Sequence, residues 1–234
     1  MLKSDALKKM SFYPMRQLIL DLLPESPPTL DNFVTGGNGE TVAALTAWLA
    51  GGREESCFCL WGEPGSGRTH LLLASGLPRV DSAHDPALAS APAAADQLAV
   101  DNVDALDDRG QVALFNLYNR LKMAGGRLLT AAAQPPAHLA LREDLRTRLG
   151  SGLIYRLHSL SDREKAAALA AQAKERALKL APEAIDYLLR HAPRDMRALS
   201  AFVVALDRYT LEHKRAVTLP LLRDLLTETL PLDL

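Results

Sequence analysis

Between Cys57 and Leu73 the chain passes from one periodicity to another through a glycine-rich turn. Cys57-Phe58-Cys59-Leu60-Trp61 is an apolar run suited to a buried strand, and Leu71-Leu72-Leu73 suits a helix. Between them lies Gly62-Glu63-Pro64-Gly65-Ser66-Gly67-Arg68-Thr69-His70. The spacing G-x-x-x-x-G-[basic]-T is that of a phosphate-binding loop. Glycines let the backbone fold around an anion with several N–H groups pointing inward, and a following helix start adds partial positive charge. The basic position, a lysine in the usual pattern, is Arg68, a planar fork in place of a point charge. Thr69 is spaced to offer its hydroxyl to a magnesium ion. An ordinary Gly-rich strand-to-helix turn is the plainer alternative; the apolar flanks and the G-R-T ending favour nucleotide.

A second chemical element lies downstream. Gln97-Leu98-Ala99-Val100-Asp101 is an apolar strand ending in an aspartate, which is how a phosphate-loop protein sets a carboxylate beside nucleotide-bound magnesium. The position after it, where a hydrolytic enzyme of this type carries a second acid to polarise water, holds Asn102. An amide cannot take the water's proton, so slow or absent turnover is expected.

Around these motifs the pattern predicts helices over about 39–50, 68–75, 111–123 and 137–148. Strands are predicted near 57–61, 79–82, 97–101, 127–133 and 153–157, with a poorly patterned stretch over 76–96. Strands alternating with helices imply a parallel α/β sheet. From Ser161 the pattern is purely helical, over about 161–178, 182–191, 194–213 and 218–230. Ser161 and Glu164 form a capping box, and Pro182 fits a first helical turn. Three segments follow: a leader over 1–28, an α/β nucleotide-binding domain over 29–160 and a helical lid over 161–234. Arg194-Asp195-Met196-Arg197 opens the third helix of the lid, where cations oppose the helix dipole. Either an anion lies nearby or a neighbouring acid pairs with them.

Lys and Arg number 27 against 28 Asp and Glu, so no net basic charge draws the chain to nucleic acid, and contact with DNA is expected only through a partner. No run approaches the roughly 18 apolar residues of a membrane span, and the leader lacks the apolar core of a signal peptide. Cys57 and Cys59 are the only cysteines. They are expected as core thiols on opposite faces of their strand, in a reducing, cytoplasmic setting. In the leader, Gln17-Leu18-Ile19-Leu20-Asp21-Leu22 is a short apolar hexapeptide ahead of the Glu25-Ser26-Pro27-Pro28 linker. It reads either as an element packing on the domain or as a peptide that docks in a partner's groove.

The order of these parts resembles an AAA+ module, and more narrowly the nucleotide-binding core of the replication initiator DnaA. Thr29-Leu30-Asp31-Asn32-Phe33-Val34, Gly62 to Leu72, Val100-Asp101-Asn102-Val103 and Gln134-Pro135-Pro136 match landmarks of that core in order. So do Asp144-Leu145-Arg146-Thr147-Arg148-Leu149-Gly150 and Asp195-Met196-Arg197. The hexapeptide, Arg68 and Asp101-Asn102, with no DNA-reading segment after the lid, resemble the Hda-type regulatory inactivators within that family.

The resemblance implies an ADP-bound (or ATP-bound) regulator with Mg2+, tethered to the DNA polymerase sliding clamp through Gln17, Leu18, Leu20 and Leu22. It implies action on DnaA by stimulating hydrolysis of DnaA-bound ATP, with Arg148 as an arginine finger offered in trans. Leu30, Phe33, Val34, Gly62, Pro64, Gly65, Ser66, Gly67, Arg68, Thr69, His70 and Arg197 would hold the nucleotide, and Thr69 and Asp101 the magnesium. A stand-alone ATPase and an initiator-like DNA or loader factor are the other readings, and homo-oligomerisation stays open. Thr130-Ala131-Ala132-Ala133 lacks the polar sensor of the family, which implies lost γ-phosphate sensing in cis. The 76–96 stretch is short for the family, so a helix at the sheet edge is expected to be reduced.

Overall fold

The computed structural model describes residues 27–52, 54–213 and 216–229. The leader hexapeptide lies outside them. The chain divides between Leu160 and Ser161 into two compact units.

The first unit contains α1 (Gly39–Leu49), β1 (Cys57–Gly62), α2 (Arg68–Ala74), β2 (Arg79–Asp81) and β3 (Gln97–Asp101). After them come α3 (Asp108–Met123), β4 (Arg127–Ala132), α4 (Glu143–Gly150) and β5 (Leu153–Leu157). The five strands form one sheet in the order β2-β3-β4-β1-β5, with every pairing parallel. A parallel sheet must be covered on both faces, which is why its strands read as continuous apolar runs instead of alternating ones.

The two faces take alternate residues. Phe58, Leu60, Ala99, Leu129 and Ala131 join Leu45 and Trp48 of α1 and Leu71 and Leu72 of α2. Leu98, Val100 and Leu128 join Leu114, Tyr118 and Leu121 of α3 and Leu145 and Leu149 of α4. Each fully buried Leu or Phe contributes about 1.5–3 kcal/mol relative to exposure, so this double interface holds the sheet rigid beneath the loops at its C-terminal edge.

In this unit three local features depart from the sequence expectations. Helix α3 begins at Asp108 instead of 111, because the Asp107 side chain accepts the Gly110 N–H at 2.7 Å and caps the first turn. The helix expected over 137–148 is broken. Pro136–His138 is a 3-10 turn and α4 starts only at Glu143, where the Gln111 side-chain carbonyl takes the Arg142 N–H at 2.8 Å. Cys57 and Cys59, two residues apart, share a strand face and are not on opposite sides. Both are buried and both hydrogen-bond to Thr130.

Burial pushes both thiols upward, Cys59 to about 11 and Cys57 further still. At neutral pH neither forms the thiolate that reacts. Iodoacetamide should therefore leave the native chain unmodified while alkylating both cysteines in denaturant; labelling of the native protein by intact-mass measurement would contradict the burial.

Between β2 and β3 the stretch 82–96 consists of turns with no helix, matching the reduction expected there. Asp85 organises it by accepting the Ser90 N–H, the Ser90 hydroxyl and the Ala89 N–H.

The second unit is all helical among its described residues: α5 (Asp162–Glu175), α6 (Pro182–His191), α7 (Met196–His213) and α8 (Leu219–Thr229). The capping box is present, with Ser161 accepting the Glu164 N–H and Glu164 accepting the Ser161 N–H. Pro182 sits in the first turn of α6. Leu169, Leu188, Leu199, Phe202, Val203, Leu206 and Leu222 form its core, with Met196 packed against it. Helix α5 ends earlier than expected, and Ala177 beyond it adopts a left-handed φ of 53°.

Candidate functional site

Strand β1 delivers Gly62 to the C-terminal edge of the sheet, paired in register with Leu157 of β5. The chain then turns through Glu63 and Pro64 to Gly67, which caps α2 with φ 96°; Gly65 has φ 80°. L-residues with a Cβ rarely adopt either value, so the glycine spacing of the motif has a backbone cause. At Gly67 there is a second constraint, since a Cβ would lie 2.6 Å from the Phe33 ring.

Phe33 belongs to the segment preceding α1, whose conformation is set locally. The Thr29 N–H donates to the Asn32 side chain at 2.9 Å and the Asn32 N–H donates back to the Thr29 hydroxyl at 3.1 Å. Leu30 and Phe33 pack against the core beneath α2. The Phe33 and His70 rings lie 5.3 Å apart, and His70 Nε2 hydrogen-bonds the Thr29 carbonyl at 3.0 Å. The sequence-predicted Phe33, Gly67 and His70 are thus brought together, with Leu30 and Val34 half-buried on the same segment.

Inside the turn two buried polar atoms have no partner among the described residues, Ser66 Oγ and Arg68 Nη1. Buried polar groups are hydrogen-bonded in the great majority of cases, and an unmet one costs about 1–3 kcal/mol, more for a charged group. Two orphans on one phosphate-type loop fit an anionic ligand with oxygen acceptors. Thr69 is exposed on the first turn of α2.

Asp101, at the end of β3, is differently placed from the open carboxylate a metal would need. Its side chain is only 1% exposed, and its Oδ2 accepts Arg79 Nη1 from the neighbouring strand β2 at 3.2 Å. Oδ1 accepts the Asn102 N–H at 3.0 Å. Asn102 itself is left-handed, with φ 52°, a conformation Asn tolerates better than most residues. Its side-chain amide donates to Asp81 at 2.8 Å. Burial works to raise the Asp81 carboxyl, but the Asn102 amide, the Ala83 N–H, His84 and Arg79 together hold it below the ordinary carboxylate range. Sequence reasoning missed Arg79, because the contact exists only once β2 and β3 are neighbours.

In the expected sensor stretch Thr130 is buried, its hydroxyl 3.5 Å from the Phe58 carbonyl, and the Ala133 N–H donates to Asp104. No polar side chain follows Thr130 before Gln134. Arg148 lies on the last turn of α4, exposed, with its guanidinium 5.8 Å over the Phe115 ring.

In the helical unit the open choice at Arg194 resolves to an ion pair. Arg194 Nη2 reaches Asp162 Oδ2 at 2.8 Å, while Asp195 accepts the Ala198 N–H and caps α7. Arg197 is exposed on the first turn of that helix.

No helix among the described residues is long and apolar enough to cross a membrane, and no group of three or more His, Cys, Asp or Glu among them could hold a metal.

Residues 162–226 match the family described as Hda, lid domain. Over 80% of its length the chain is similar to a solved DNA replication initiation factor, at 25% identity and a TM-score of 0.62, covering 67% of that structure. The replication initiator DnaA bound to AMPPCP and single-stranded DNA is similar at 24% identity and a TM-score of 0.63, with 80% of this chain and 67% of that one covered. Domain III of the Thermotoga maritima initiation protein DnaA aligns over 86% of this chain and 96% of its own, at 20% identity and a TM-score of 0.65. The helical unit thus matches the Hda lid family over residues 162–226, and the described fold as a whole is similar to that of DnaA-type replication initiators.

Proposed function

We propose that this protein is a nucleotide-bound negative regulator of DNA replication initiation that acts on DnaA. The observation that supports it best is a pair of buried atoms with no partner among the described residues, Ser66 Oγ and Arg68 Nη1, in a phosphate-type loop of a DnaA-like fold. DnaA is similar in fold and has been solved with the ATP analogue AMPPCP, which favours a nucleotide on this loop. The Hda family match over the lid favours the regulator over an initiator.

In this reading ADP is the resident nucleotide. Its phosphates lie in the turn from Gly62, Pro64, Gly65 and Ser66 to Thr69, with Arg68 as the cation and Leu30, Phe33, Val34 and His70 beside the base. Arg197 would sense the nucleotide from the lid. Thr69 and Asp101 stand at the positions where magnesium is expected, but Asp101 is held by Arg79 and presents no open carboxylate to it. Turnover by the chain alone is slow, because Asn102 cannot act as a base and Asp101 is already covered. The chain supplies chemistry in trans instead: Arg148 stabilises charge on the γ-phosphate of DnaA-bound ATP. The hexapeptide with Gln17, Leu18, Leu20 and Leu22 docks on the sliding clamp, so that DNA is reached only through it.

The test is hydrolysis of DnaA-bound ATP with and without this chain, in the presence of clamp loaded on DNA. Stimulation should require the clamp and vanish when Gln17 and Leu20 are both changed to alanine, with nucleotide affinity unaltered. Stimulation that ignores the clamp would remove the tether from the proposal. Multiple-turnover hydrolysis by the isolated chain would favour the stand-alone ATPase.

A further inference from the structure

The end of β3 carries a closed set of charges that the nucleotide reading does not use. Asp101 has both carboxylate oxygens partnered, by Arg79 at 3.2 Å and by the Asn102 N–H at 3.0 Å, with its side chain 1% exposed. Arg79 also stands 3.6 Å from Asp81, and the Asn102 amide fixes Asp81 from the other side at 2.8 Å. Two strands therefore present one guanidinium shared between two carboxylates. The one side chain in the position of a second acid is turned into a hydrogen-bond donor toward Asp81.

We propose that Arg79 stands in for magnesium at Asp101, so that the chain holds a nucleoside diphosphate without requiring the ion. The inference rests on the nucleotide reading above. Mg2+ is a hard cation that demands near-octahedral oxygen ligation and sheds water reluctantly, so it needs an accessible carboxylate. To provide one here, Asp101 must give up its contact with Arg79, whose partly exposed guanidinium would then keep only Asp81 at 3.6 Å. Phosphate charge is met on the other side by Arg68, whose buried Nη1 has no partner among the described residues. Two fixed arginines, one toward the phosphates and one on the carboxylate, thus replace a diffusible ion.

The experiment is titration of the full chain with a fluorescent ADP analogue, in excess magnesium and in EDTA. The two dissociation constants should agree within about threefold. In Arg79→Ala, Asp101 is released, and magnesium should strengthen binding by about tenfold or more relative to EDTA. Native binding that weakens about tenfold or more in EDTA would overturn the proposal without needing any variant. So would an Arg79→Ala chain that binds the analogue as tightly in EDTA as in magnesium. Absence of binding in both buffers would instead sink the nucleotide reading, and this inference with it.

Discussion

Replacing Arg148 with alanine should reduce stimulation of DnaA-bound ATP hydrolysis by about 10³–10⁵-fold, on the order of 4–7 kcal/mol of transition-state stabilisation, if it is a finger in trans. The fold should barely notice. Helix α4 is anchored by Leu145 and Leu149, which are fully buried, whereas Arg148 is exposed on its last turn. Its one described side-chain contact is the Phe115 ring, and an exposed cation–π pair of this kind is worth about 0.5–1 kcal/mol. Tm and nucleotide affinity should therefore stay close to those of the native chain while stimulation disappears. A lysine at 148 keeps the charge but not the planar fork, and should recover only part of the rate. Full stimulation by Arg148→Ala would end the assignment, and a large loss of Tm would recast Arg148 as structural.

Arg68→Ala should act in opposite directions on binding and on stability. A charge-assisted hydrogen bond contributes about 1.5–3 kcal/mol, so loss of this cation should weaken ADP binding by about 10–150-fold. Without nucleotide the same change removes a buried charged nitrogen that has no partner among the described residues. The ligand-free chain should then be as stable as the native protein, or more so. Thermal unfolding with and without ADP separates the two effects. Native Arg68 should give a large ligand-induced rise in Tm, and the variant a small one from an equal or higher baseline. Equal ADP affinity in both chains would return the loop to an ordinary strand-to-helix turn.

The elements that could be read in the sequence are those whose cause is local. The left-handed glycines at 65 and 67, the capping box at Ser161 and the proline opening α6 each follow from a residue and its near neighbours. The apolar runs of β1, β3 and β4 announced a covered parallel sheet because each strand is buried on both faces. What could not be read depends on the assembled sheet. Arg79 meets Asp101 across two strands, 22 positions apart. The start of α4 is fixed by Gln111, 31 positions before Arg142 on another helix. Arg68 is visible in the sequence as an unusual cation, but that its Nη1 has no partner among the described residues appears only when the surrounding chain has closed over it. The placing of Cys57 and Cys59 on one face needs only local geometry, since residues two apart on a strand point the same way.

The strand order has a bearing on how the polypeptide is made. β1 is first in the sequence yet pairs only with β4 and β5, so Gly62 is synthesised 65 residues before Arg127 opens its first neighbour (127 minus 62). At ribosomal rates of about 5–20 residues per second that is a wait of roughly 3–13 s. During it Phe58 and Leu60, both wholly buried in the finished sheet, have no strand to lie against. Closure comes later still, when Asn38 exchanges two hydrogen bonds with the backbone of His158, 120 positions away. Contacts of such separation slow folding, because the loop entropy must be lost before the contact is gained. The nascent α/β unit is therefore most exposed to aggregation, and most dependent on chaperones, until β5 has left the ribosome.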